Sequence, residues 1–362
     1  MNKILLVAPY DGVQGGISRW TSHIITHQKN CEECAYDLVL LPIGRKKFIN
    51  NMPVWHRIWY ALIDYSKIIK KYNSEIKKNY EIVHITTSAS FSLFKDIYML
   101  KNARNKGIKS VIHFHFGRIP ELAEKNNWEW KLVKKVIRLA DKAIVIDQLS
   151  YDTLSEYGFK NIEYLPNPVA PIVEKYVAEN HDIVRINGQL LFAGHVVKTK
   201  GIWELLKACS TLANIHLNVI GRTTPEILQE IEKRYGRPKW LTILGERPFE
   251  DVIKQMMSCD IFVLPTYTEG FPNVILEAMA SSCAIISTPV GAIPQMLEND
   301  KNGRYGMLVA PKDSKTLART LQSLLDNEQL KNEMRKNVCK RVSERYNINS
   351  VWQKLVSIWE TC

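Results

Sequence analysis

The chain has 362 residues, 46% apolar and 24% charged, a soluble globular mixture long enough for two domains of ordinary size. No apolar run approaches the roughly 20 residues that span a bilayer. Seven cysteines, an odd number scattered from Cys31 to Cys362, give no disulfide framework, and Cys31-Glu32-Glu33-Cys34 lacks the second pair of a zinc site. The net charge of +12 is uneven: residues 1 to 170 hold 25 Lys and Arg against 16 Asp and Glu, a net of +9, leaving +3 for the remainder.

The N-terminal stretch is too short and too soon interrupted by Pro9 for a secretory signal, and Ile4 to Ala8 reads as a first buried strand. A reducing cytoplasm is the expected setting. Asp11-Gly12-Val13-Gln14-Gly15-Gly16-Ile17-Ser18 follows that strand, and its glycines let a backbone approach a ligand before a helix begins. It contains no Gly-x-Gly-x-x-Gly, which argues against a dinucleotide site. Further strand candidates run from Tyr36 to Leu41, Ile82 to Thr86, Ser110 to Phe114, Lys142 to Ile146 and Ile162 to Leu165. They alternate with helical patterns, as in a parallel sheet with crossover helices.

Between Arg45 and Lys78 a basic helical stretch mixes Trp55, Ile58, Trp59, Leu62, Ile63, Ile68 and Ile69 with many lysines. Such a stretch suits an anionic membrane surface or a lipid-pyrophosphate acceptor; it equally suits a core-packed helix with a solvated lysine face. Nothing in it resembles a nucleic-acid stacking module. In Val111-Ile112-His113-Phe114-His115 the two histidines share one strand face. His115 falls at the strand's carboxyl end, where open α/β sheets place ligands, whereas His113 reads as a packed core residue.

Tyr164-Leu165-Pro166-Asn167-Pro168-Val169-Ala170-Pro171 breaks the pattern, and a second alternating series follows. Its strand candidates are Leu190 to Ala193, His216 to Ile220, Leu241 to Leu244, Ile261 to Leu264, Ala284 to Ser287 and Met307 to Val309. After the first of these, Gly194-His195-Val196-Val197-Lys198-Thr199-Lys200-Gly201 is a turn rich in cations, with a helix from about Ile202. After the fourth, Glu269-Gly270-Phe271-Pro272-Asn273-Val274-Ile275-Leu276-Glu277 carries one carboxylate in a loop and a second in a helix that Asn273 can cap. Helix starts beside strand ends present unpaired N–H groups and a positive dipole end, suited to phosphate.

Glu-x7-Glu, the Ala278-Met279-Ala280 that follows it, and Ile285-Ile286-Ser287-Thr288-Pro289-Val290-Gly291 together resemble the C-terminal half of the family 4 glycosyltransferases. The resemblance implies the GT-B fold, with two Rossmann-like doubly wound parallel-sheet domains facing across a cleft. Residues 1–168 would be the acceptor side, 169–340 the nucleotide-sugar side, and 341–362 a helix packing back on the first domain. It further implies that Glu269 and the backbone of Gly270, Phe271, Pro272 and Asn273 hold the donor sugar, that Glu277 binds the ribose, and that Lys200 neutralises the pyrophosphate. Gly15 and Gly16 would face the donor phosphates, and His115 would lie near the sugar. The family usually has Arg where His195 stands, so either Lys198 supplies that charge or His195 acts as a partly protonated donor. In Pro166-Asn167-Pro168-Val169, Pro168 replaces the family's usual Gly, and a hinge role is expected.

The expected activity is retaining transfer of a sugar from a UDP- or GDP-sugar to a glycan or lipid-linked glycan, as in bacterial surface polysaccharide biosynthesis. No metal or other cofactor is expected, no nucleic acid, and a location in the cytoplasm with peripheral attachment to the membrane's inner face. Alternatives are a sugar-nucleotide epimerase or phosphorylase on the same fold, and a non-catalytic basic binding protein.

Overall fold

The computed structural model describes residues 2–10, 15–31, 35–43, 54–298 and 302–362, with the side chains of 54–63 outside the description. Two compact units divide it: Met1–Pro168 with Ile348–Cys362, and Val169–Asn347. The first unit runs β1 (Asn2–Pro9), α1 (Gly16–Asn30), β2 (Tyr36–Ile43), α2 (Val54–Glu75), β3 (Ile82–Thr87), α3 (Ser92–Asn105), β4 (Lys109–Phe114), α4 (Ile119–Lys125), α5 (Trp128–Leu139), β5 (Lys142–Val145), α6 (Gln148–Glu156) and β6 (Ile162–Tyr164). The second runs α7 (Pro171–Glu179), β7 (Ile186–Ala193), a 3-10 turn (Lys198–Lys200), α8 (Ile202–Cys209), β8 (His216–Ile220), α9 (Pro225–Tyr235), β9 (Leu241–Gly245), α10 (Phe249–Ser258), β10 (Cys259–Leu264), α11 (Asn273–Ala280), β11 (Ala284–Ser287), α12 (Ile293–Met296), β12 (Met307–Leu308), α13 (Ser314–Leu325) and α14 (Glu328–Arg345). Then α15 (Ile348–Glu360) returns to the first unit, so the segment that rejoins it begins at Ile348 rather than the expected 341.

Among the described residues each unit holds one six-stranded sheet, ordered β2-β1-β3-β4-β5-β6 and β12-β11-β10-β7-β8-β9, with every pairing parallel. All twelve expected strands are present. This is the doubly wound α/β architecture of GT-B proteins.

Alternation sorts the first sheet's side chains onto two cores. Leu5, Val7, Val83, Ile85, Ile112 and Phe114 pack with Tyr72, Leu100 and Trp130 on one face. On the other, Ile4, Leu6, Ile82, Val111 and Ile144 pack with Trp20 and Ile24 of α1 and with α15. That last helix presents Val351, Trp352, Leu355, Ile358 and Trp359, spaced as one helical stripe and all buried, each contributing on the order of 1.5 to 3 kcal/mol. In the second unit a buried ion network fixes α14 to the sheet. Lys331 Nζ donates to Asp260 Oδ2 at 2.9 Å, Arg335 Nη2 to Oδ1 at 2.7 Å, and Gly188 N to Oδ2 at 3.0 Å.

Of the Arg45–Lys78 stretch, residues 45–53 lie outside the described residues. In the described half of α2, Tyr72 is buried and donates its hydroxyl to Met99 O at 2.8 Å, and Ile68 packs on the core. Lys67, Lys70 and Lys71 face solvent. This half is a core-packed helix with a lysine face.

Candidate active site

In the second unit, three loops leave the carboxyl ends of β7, β10 and β11 and are tied together by their backbones. The first tie depends on Gly201, which ends the 3-10 turn at φ +73°; a Cβ there would stand 1.9 Å from Pro265 O, so only glycine lets the turn lie on the end of β10. Thr199 O then accepts from Tyr267 N at 2.8 Å and from Thr266 Oγ1 at 3.2 Å. The second tie depends on Gly291 at φ +55°, where a Cβ would meet Glu269 O at 2.4 Å and Gly270 O at 2.6 Å. Ala292 N donates to Gly270 O at 2.9 Å, and Thr288 Oγ1 to Thr266 O at 2.6 Å.

This stitching brings Lys200 Nζ and Glu269 Oε1 into a direct ion pair, across 69 residues of sequence. Both side chains are partly buried, so the pair is less screened than a surface one. Phe271 is buried against Tyr346, with ring centroids 6.0 Å apart. Glu277 sits one turn into α11 with only 7% of its surface exposed. The structure corrects the cap of α11. The cap position is Pro272, with no side-chain cap, and Asn273 is the first helical residue. Proline supplies the extended φ that a cap requires, and Ile275 N closes the first turn on Pro272 O at 3.0 Å.

His195 and Lys198 are both exposed in the turn after β7. Sequence reasoning missed a third cation, Arg222, which is exposed directly after β8 and whose carbonyl accepts from Val196 N at 3.0 Å. The available signal was positional: Gly221-Arg222 follows its strand as Gly194-His195 follows β7. Thr199, Thr266 and Thr288, which frame the site, were missed as well.

The remaining candidates, Gly15, Gly16 and His115, belong to the first unit. Gly15 is the cap residue of α1 and Gly16 its first residue. His115 follows β4 directly, and its backbone N–H donates to Thr87 O at 3.0 Å. Its ring lies 4.0 Å from that of His113 and 5.0 Å from that of Trp20.

Behind it runs a buried relay. Trp359 Nε1 donates to His84 Nδ1 at 3.0 Å, and His84 Nε2 meets His113 Nδ1 at 3.3 Å. An indole only donates, so His84 carries its proton on Nε2 and gives it to His113, whose own proton is thereby fixed on Nε2. Burial pushes the pKa of His84 and of His115 down to about 3; burial, then His115 and His84, hold His113 well below its ordinary value. All three rings are therefore neutral near pH 7. His113 Nε2, both nitrogens of His115 and Trp20 Nε1 are buried and find no hydrogen-bond partner among the described residues.

Among the described residues no His, Cys, Asp and Glu cluster has the form of a metal site, and the six described cysteines are free thiols.

Known proteins share both halves of the chain. The family profile "Glycosyltransferase Family 4" matches residues 18–171, and "Glycosyl transferases group 1" matches residues 187–327. The capsular polysaccharide biosynthesis glycosyltransferase CapM of Staphylococcus aureus is 30% identical over 200 residues, covering 52% of this chain and 49% of CapM. The N,N'-diacetylbacillosaminyl-diphospho-undecaprenol alpha-1,3-N-acetylgalactosaminyltransferase of Campylobacter jejuni is 32% identical over 117 residues, covering 32% of this chain and 30% of that protein. The chain thus spans about half the length of the first and a third of the second. In fold, sucrose-phosphate synthase of Thermosynechococcus elongatus matches with a TM-score of 0.76 at 15% identity, over 99% of this chain and 98% of that one. With two profiles on successive halves, twelve parallel strands in two sheets and Glu-x7-Glu at the end of β10, the chain belongs to the family 4 glycosyltransferases.

Proposed function

We propose that the protein is a retaining glycosyltransferase that moves a sugar from a UDP- or GDP-sugar to a hydroxyl of a glycan or lipid-linked glycan. The observation that carries this reading is the Lys200–Glu269 pair at the meeting of three strand-end loops, with Glu277 buried one turn further along α11. In it, Lys200 and the N-terminus of α11 neutralise the pyrophosphate, Glu277 accepts the ribose hydroxyls, and Glu269 with the N–H groups of Gly270, Phe271 and Asn273 orients the sugar, Pro272 having none to give. The bond between sugar C1 and the phosphate oxygen breaks, and its electron pair leaves with the nucleoside diphosphate. The acceptor oxygen bonds to C1 on the same face, and its proton passes to the departing phosphate. No metal is assigned a part, because protein cations do the neutralising. A lipid-linked acceptor is favoured by the similarity to the Campylobacter jejuni enzyme, whose name specifies diphospho-undecaprenol.

A panel of nucleotide sugars tests the donor. The true donor at a hundredfold its dissociation constant should stabilise the fold by about 2.7 kcal/mol, with or without EDTA. Glu277→Ala should weaken calorimetric affinity for the free nucleotide about tenfold to a hundredfold, through lost charge-assisted hydrogen bonds. Unchanged affinity would remove Glu277 from the site.

A further inference from the structure

Among the described residues of the first unit, four of the six exposed large apolar side chains lie on two adjoining helices, Leu149 and Tyr157 at α6 being the other two. Phe91, the residue that caps α3, is 67% exposed; Phe94 and Tyr98, on the same face, are 54% and 39% exposed. Trp128, the first residue of α5, is 48% exposed, and its ring lies 5.3 Å from that of Phe91. Rings of this size so open to water are costly unless something covers them.

The loop before α3 holds this tip firmly. Ala89 and Ser90 are both left-handed, at φ +65° and +56°, a conformation that non-glycine residues adopt only when their surroundings impose it. Here Ala89 N donates to Thr87 Oγ1 at 3.1 Å, Thr87 Oγ1 to Asp96 Oδ2 at 2.6 Å, and Ser90 N to Glu129 Oε1 at 2.9 Å. Arg118 Nη2 completes the anchor on Glu129 at 3.2 Å.

Beyond the aromatic tip, the exposed stripe of α5 continues as Lys131, Lys135 and Arg138, and that of α3 as Lys101. The carboxylates of α3 and α5 themselves, Asp96 and Glu129, are buried and already bonded, while Glu121 and Glu124 of α4 are exposed. These two helices therefore offer an aromatic tip beside a basic shoulder, with their own acidic groups turned inward.

We propose that the outer face of α3 and α5 docks on an anionic lipid bilayer, with Phe91, Phe94, Tyr98 and Trp128 in the headgroup boundary and Lys131, Lys135 and Arg138 against lipid phosphates. Aromatic rings settle at that boundary, and each cation near it adds attraction that salt screens. The assignment differs from the lysine face of α2, where Ile68 and Tyr72 are used by the core. It also has a geometric consequence. The tip lies at the carboxyl edge of the sheet, where Thr87 O accepts from His115 N, so docking would bring a lipid-linked acceptor to the edge that carries His115. The docking itself does not depend on the glycosyltransferase reading; this consequence does.

Co-sedimentation with phosphatidylcholine vesicles, with and without phosphatidylglycerol, tests it on the full chain. The parent should bind only the anionic vesicles, less at high salt. The triple variant Phe91→Ser, Phe94→Ser, Trp128→Ser and the triple variant Lys131→Gln, Lys135→Gln, Arg138→Gln should each lose about tenfold or more in partitioning. Both should keep the parent's circular dichroism and its transfer rate to a water-soluble acceptor, which separates failed docking from a failed site. Parent-level binding by either triple variant, or equal binding to neutral vesicles, overturns the proposal. So does a parent that ignores vesicles and is a dimer which the serine variant converts to monomer, since the face would then be covered by a second copy.

Discussion

At the scale of single residues, Lys200 and Glu269 are paired, so on the proposed reading a donor meets a cation and a carboxylate already held together. Such preorganisation spares reorganisation when charge develops on the leaving pyrophosphate. The departure from the family at His195 is the sharper question, because Lys198 and Arg222 are exposed nearby in the chain's own folding of these loops. If the imidazole donates to the pyrophosphate, His195→Ala should lower kcat by at least about tenfold, while His195→Arg should hold it, since arginine is charged throughout. Steady-state kinetics at neutral pH reads both. An alanine variant at the parent's rate would pass the role to Lys198 or Arg222. Glu269, Glu277 and Lys200 were legible because two carboxylates bracket a strand-to-helix loop and a cation follows a glycine turn. Thr199 with Thr266 and Trp359 with His84 were not, since partners 67 and 275 residues apart leave no local pattern.

At the scale of elements, the central strands were readable because they are buried on both faces, which makes β1, β3, β4, β10 and β11 near-continuous apolar runs. The outer face of α3 was not, because Phe91, Phe94 and Tyr98 at helical spacing look like a core stripe until burial is known. The mixed stretch before Lys78 left two readings open, and in its described half Tyr72 and Ile76 are buried as the core-packed reading expects. The contact of β3 and β4 with α1 and α15 also sets a pH response. His84 and His115 have folded pKa values of about 3 against an ordinary 6.5, so the unfolded chain takes up protons first as pH falls. Their contribution is therefore complete above about pH 6.5 and declines as pH drops from there towards about 3. Between about pH 6.5 and 5 each should cost on the order of 2 kcal/mol. Urea unfolding at the two pH values should show that loss, and His84→Gln should reduce it. A parent equally stable at both would contradict the neutral buried relay.

At the scale of the whole molecule, the chain combines two parallel-sheet units with a charge excess on residues 1 to 170, +9 against +3 for the rest. No described helix is long and apolar enough to cross a membrane. On the proposed reading, the cations of the first half serve the acceptor and the strand-end loops of the second serve the donor. The sequence made both sheets and the central loop cluster of the second unit readable; it left open the sugar, the base and the acceptor, because these depend on side-chain shapes that no spacing encodes. The most direct test is a transfer reaction followed by proton NMR, with the donor identified by stabilisation and a polyisoprenyl-diphosphate-linked glycan as acceptor. The account predicts acceptor-dependent release of nucleoside diphosphate and a product with the donor's anomeric configuration, with Glu269→Gln still binding nucleotide but no longer transferring. A product of inverted configuration, or a nucleotide sugar returned epimerised with the acceptor untouched, would contradict it.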